Sequence, residues 1–160
     1  MCLRCDEPSI DLDELLFGYH AMIEQQGWMV TAVEGDDAHI GWAYTVGLAS
    51  TLDHPDLVIV GLPAASAHEI LQYVIAAIAE GEAVLPGLPI PGPNGQTFAT
   101  AWVHPAQIAA GLMPMWVNYY ASLGAPPAVE AIQVRVPPPA DVGDAAARLD
   151  LPGPLFVTSA

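Results

Sequence analysis

Apolar residues recur at helical spacing over residues 11–26. Leu12, Leu15, Leu16, Tyr19, Met22 and Ile23 fall at i, i+3, i+4, i+7, i+10 and i+11, which predicts one apolar stripe on an amphipathic helix. Asp11, Asp13 and Glu14 suit its N-terminal turn, and Gly27 suits its end. The period then drops to two. WMVTAVEG (28–35) reads as a strand, and HIGWAYTVGLA (39–49) sends Ile40, Trp42, Tyr44, Val46 and Leu48 one way and Gly41, Ala43, Thr45 and Gly47 the other. One face of that strand is bulky and the opposite face is nearly bare. Glycines weaken a strand, and their usual reason is close approach of another backbone, a helix or a ligand.

DLVIVGLP (56–63) is a short continuous apolar run, as expected of a strand covered on both faces. ASAHEILQYVIAAIAEGE (65–82) returns to helical spacing, with Ala67, Ile70, Leu71, Val74, Ile75 and Ile78 as its buried stripe and Gly81 near its end. Residues 83–96 hold four prolines and three glycines, an irregular loop long enough to cover something. TFATAWV (97–103) is a strand. HPAQIAAGLMPMWVNYYASLG (104–124) is a helix interrupted near Gly111 and Pro114, because proline removes a donor and clashes with the preceding turn. AIQVRV (131–136) alternates Ile132, Val134 and Val136 inward with Gln133 and Arg135 outward. The expected fold class is therefore α+β, a mainly antiparallel sheet of about five strands packed by about three helices. The 160 residues read as a single domain, with residues 1–10 as a leading Cys-x-x-Cys segment and 140–160 as an irregular tail.

Charge narrows the partners. Eighteen acidic residues stand against three arginines and no lysine, a formal net charge of −15. That field repels a phosphate backbone and an anionic bilayer surface, so neither nucleic acid nor membrane is an expected partner. No apolar run approaches the roughly 18 residues that span a bilayer, and no basic stretch precedes an apolar core at the start, so a cytoplasmic protein is expected.

The chemistry on offer is sparse. Cys2 and Cys5 are the only cysteines, and two thiolates at this spacing are a natural clamp for zinc. Completing a tetrahedral site needs two more ligands, for which His20, His54 and His104 are the candidates. The same pair also suits a thiol-redox role or no role beyond a reduced pair. The second region is the bare strand face. Thr45 is the polar side chain on it, and with Gly47 it would floor a shallow pocket walled by Trp28, Tyr44 and Tyr120, with His54 close by in DHPD. Alternatively, the Thr45 hydroxyl satisfies backbone beneath a packed helix, and His54 caps a turn. No nucleophile elbow, P-loop, dinucleotide fingerprint or H-E-x-x-H is present, and without lysine no Schiff base can form. The expectation is a domain that binds a small molecule or a protein partner and forms a homodimer; the alternative is a zinc or thiol protein, or an enzyme, built on Cys2 and Cys5 with one or more histidines.

CLRCDEP, GWMVTAVEGDDAHIGWAYTVGL, HPDLVIVGLP and YYASLGAPPAVEAIQV together resemble the bacterial family called domain of unknown function 4262. Its members look like C-x-x-C-D near the start, then G-W-x-V, Y-T-V-G-L, H-P-[DE]-L and L-Q-x-V in that order. The resemblance runs over about residues 2–136 and implies no activity. Where the family often carries a histidine after C-x-x-C-D, this chain has Glu7.

Overall fold

The computed structural model describes residues 11–36, 40–124, 130–136 and 148–151. The helix expected first is α1 (Leu12–Gln26), followed by β1 (Met29–Val33), β2 (Trp42–Val46), the single-turn α2 (Leu48–Thr51), β3 (Asp56–Val60) and α3 (Ala64–Ala79). The chain continues through β4 (Ile90–Pro91), a 3-10 turn (Pro93–Gly95), β5 (Thr97–Trp102), α4 (Pro105–Ala109), α5 (Pro114–Ser122) and β6 (Ala131–Arg135). The expected break near Gly111 and Pro114 separates α4 from α5, with Gly111 in the left-handed region and Pro114 opening the second helix.

The strands form one six-stranded mixed sheet ordered β1-β2-β3-β6-β5-β4. β1, β2 and β3 are an antiparallel meander, as expected from three strands joined by short connections. The sheet is mainly antiparallel, as expected, with one strand more than the roughly five expected and one parallel pairing. β6 slots between β3 and β5, antiparallel to β5 and parallel to β3. The extra strand, β4, comes from the proline-rich loop, where only Ile90 and Pro91 pair with β5.

The sheet separates two cores. On one face Trp42, Tyr44, Val46 and Val58 pack with Leu15, Tyr19 and Ile23 of α1 and Trp116, Tyr119 and Tyr120 of α5. On the other face Ala43, Leu57, Ile59, Ile132 and Val134 pack with Ala67, Leu71 and Ile75 of α3. The small residues of β2 are thus a seat for α3, which answers why that strand is bulky on one side only. β6 is covered on both faces, so Gln133 is buried at 1% exposure rather than outward. Its Oε1 accepts the Leu149 N–H at 2.9 Å, as a buried amide requires.

The β2–α2 junction turns on Gly47. Its φ of +110° is one that L side chains rarely adopt, and a Cβ there would lie 2.9 Å from Ile23 Cγ2 and 3.2 Å from the Gly27 carbonyl oxygen. Gly18, in the exposed middle of α1, has nothing within 4 Å of an added Cβ. Gly47→Ala is therefore expected to destabilise the fold by about 1–3 kcal/mol, whereas Gly18→Ala is expected to stabilise it by about 0.5–1 kcal/mol. Urea midpoints of the two variants check both signs.

Candidate functional site

The most unusual polar feature lies where β2 ends and β3 begins, beside α5. Asp56, the first residue of β3, is completely buried. A buried carboxylate is costly unless its lone pairs are met, and here four donors meet it. Oδ1 accepts the Thr45 hydroxyl at 2.7 Å and the Leu48 N–H at 3.0 Å. Oδ2 accepts the Trp116 indole N–H at 2.9 Å and the Tyr120 hydroxyl at 2.6 Å. The four donors are placed by three pieces of local structure. Thr45 is on β2 just past the last registered pair, Tyr44↔Val58. There its Oγ1 also accepts the Leu57 N–H at 2.8 Å. Leu48 opens α2, so its N–H is among those a helix start leaves unpaired. Trp116 and Tyr120 are four apart on α5 and share one helix face.

Tyr120 extends the network. Its hydroxyl oxygen accepts the N–H groups of Gly47 and Ala49, each at 3.2 Å, while the proton goes to Asp56. One phenol and one carboxylate thus satisfy the Gly47–Ala49 turn from both sides. Burial pushes the Asp56 carboxyl above its ordinary value, and the hydrogen bonds from Tyr120, Thr45, Leu48 and Trp116 oppose that shift. Burial, followed by the charge and hydrogen bond of Asp56, holds the Tyr120 phenol far above its ordinary value. With all four lone-pair directions occupied and no exposed surface, Asp56 is an anchor and is not poised to take a substrate proton.

Immediately outside this centre lies an apolar cleft of about 530 Å³ between α4 and α5. Trp116 and Tyr120 form its floor; Pro105, Ile108, Ala109, Val117 and Ala121 form its walls. The floor rings are 2% exposed and cannot swing, because their polar ends are tied to Asp56. The α4 wall is held as well: the His104 ring caps the helix, with Nδ1 accepting the Ala106 N–H at 3.0 Å.

The residues singled out from sequence are distributed as follows. Tyr120 lies on the cleft, and Thr45 and Gly47 lie beneath it in the Asp56 network. Tyr44 is fully buried on the opposite face of β2 from Ala43, its hydroxyl accepting the Met115 N–H at 3.2 Å. Trp28 is half-buried against the α3-side core. The strand face expected to floor a pocket is covered by α3 at Ala43, and Thr45 is wholly buried. His54 has both ring nitrogens engaged, Nδ1 with the Pro55 carbonyl at 2.8 Å and Nε2 accepting the Val84 N–H at 3.1 Å. His20 bonds the Ser122 hydroxyl at 2.8 Å and stacks on Tyr119. Cys2 and Cys5, with the whole 1–10 segment, lie outside the described residues, as does the 140–160 tail apart from residues 148–151. Among the described residues no three of His, Cys, Asp and Glu gather closely enough to hold a metal ion. No helix among them is long and apolar enough to cross a membrane.

Residues 22–142 match the family described as domain of unknown function DUF4262. The match covers most of the chain, including every strand and the whole Asp56 network, and the chain belongs to that family. No curated protein and no solved structure matches it.

Removing the Tyr120 hydroxyl leaves a buried carboxylate, the buried Gly47 amide and the part-buried Ala49 amide short of a partner. Tyr120→Phe is expected to cost about 2–4 kcal/mol near neutral pH. Because the folded phenol keeps its proton where the unfolded one releases it, its contribution is fully present below about pH 10 and is lost as the pH rises further, by up to about 1.4 kcal/mol per unit. Urea denaturation at about pH 8 and pH 11 is expected to show a smaller alkaline loss in Tyr120→Phe than in the wild type.

Proposed function

We propose that the chain is a binding domain rather than a catalyst, and that its ligand is a small uncharged aromatic or apolar molecule seated between α4 and α5. What carries this reading is the cleft's floor: two aromatic rings, immobilised through one buried carboxylate, beneath an opening walled by apolar side chains. Small-molecule sites typically enclose about 300–1,000 Å³ and are mostly apolar, and the cleft falls in that range. A rigid floor reduces the ordering cost of binding, since the rings are already held by the protein. Because the indole N–H and the phenol proton are both donated inward, a ligand meets ring carbon and aliphatic side chains, which favours uncharged partners. Tyr120 therefore touches the ligand, whereas Thr45 and Gly47 act one layer beneath it.

Val117 is 44% exposed at the rim, so its methyl groups are a direct reporter. Titration with indole is expected to shift the ¹³C-methyl signals of Val117, Ile108 and Ala121. Ala121→Trp fills the cleft from an exposed position and is expected to weaken indole binding at least tenfold while leaving the urea midpoint unchanged. Equal binding by that variant, or shifts confined to another part of the protein, contradicts the assignment.

A further inference from the structure

A second cavity, of about 320 Å³, lies on the other face of the sheet, between the end of α3 and the proline-rich loop. Its interior is aliphatic, formed by Val74 and Ile78 of α3 and by Val84 and Ile90 across from them. Its walls are built rather than draped. Gly81, at φ +103°, reverses the chain, and the Glu82 N–H returns to the Ala77 carbonyl at 3.0 Å. Val84 is then fixed by its N–H bond to the buried His54, whose other nitrogen is held by the Pro55 carbonyl. Further on, the Thr100 hydroxyl holds the Leu85 and Leu88 carbonyls at 3.0 and 2.7 Å, and Ile90 pairs with Phe98. His54 thus acts as a positioning residue for one wall, and the loop covers a space.

The mouth carries one sign of charge. Glu80 and Glu82 both line the cavity beside Tyr73, whose ring is 44% exposed. They stand at the C-terminal end of a 16-residue helix with no basic residue in its last turn, where the helix dipole also favours a cation. None of the lining residues is basic, and of the two described arginines Arg148 is engaged with Asp150 at 2.7 Å. A negative mouth, an aromatic face and an aliphatic interior match a single kind of small molecule.

We propose that this cavity binds an organic cation with a short aliphatic body, its ammonium between Glu80, Glu82 and Tyr73 and its chain against Val74, Ile78, Val84 and Ile90. The net charge of −15 raises the local concentration of such a ligand before it docks. The test uses the full chain and three probes of matched length: n-hexyltrimethylammonium, n-hexanol and n-hexanoate. The ammonium is expected to shift the Ile78, Val84 and Ile90 methyl signals and to bind about tenfold more tightly than hexanol, with hexanoate weaker still. Glu80→Gln/Glu82→Gln, which alters two exposed side chains, is expected to remove the advantage over hexanol while keeping the urea midpoint. Hexanol binding as tightly as the ammonium, or an unchanged ammonium affinity in the double variant, overturns the proposal. Shifts at Val117 and Ala121 in place of Ile78 and Val84 also overturn it, whereas a failure of indole to bind between α4 and α5 leaves this cavity's result unaffected.

Discussion

The structure depends on one buried carboxylate being fully answered. Asp56 joins the start of β3 to the end of β2 through Thr45, to the start of α2 through Leu48, and to α5 through Trp116 and Tyr120. Removing a charge of this kind from water is a large cost, recovered only if every lone pair has a donor in good geometry. Four donors from three separate elements therefore have to arrive together, which ties the helix layer to the sheet and fixes the Gly47 turn. Apolar packing alone is more forgiving, since hydrophobic contacts tolerate shifts that a hydrogen-bonded anion does not.

That constraint explains the form of the cleft. An aromatic floor usually has some freedom to rotate or to turn its polar end toward solvent. Here the indole N–H and the phenol hydroxyl point away from the opening, and so the surface that α4 and α5 leave between them is apolar and stiff. The opposite cavity obtains its rigidity differently, from a glycine turn, a strapped loop and the His54 ring, whose Nε2 accepts the Val84 N–H. Two openings with unlike linings thus sit on the two faces of one sheet.

Much of the architecture could be read from periodicity. The stripes on α1 and α3, the three-strand meander and the break between α4 and α5 all follow from spacing and from glycine and proline. The position of β6 could not, because a parallel neighbour is decided by which slot the sheet leaves open, and Gln133 looks outward only until that slot is known to be covered on both sides. The bare face of β2 was visible in the sequence, and of the occupants it allowed the helix is the one present: Ala43 leaves room for α3, and Gly47 leaves room for Ile23. Asp56 was missed outright. In DLVIVGLP it reads only as the first residue of a strand, since the residues that bury it lie 60 and 64 positions away. The signal that pointed to it was the pairing of Y-T-V-G-L with H-P-[DE]-L, the two stretches that hold Thr45 and Asp56.

The most direct measurement is native-state hydrogen exchange at the protons that converge on this centre: the Trp116 indole N–H and the Gly47, Leu48 and Ala49 amides. If the carboxylate locks these elements into one unit, all four exchange only on global unfolding, with the same free energy as the slowest amides of β3 and β6. Exchange of the Trp116 indole proton by a much cheaper local opening, with β3 still protected, contradicts the account.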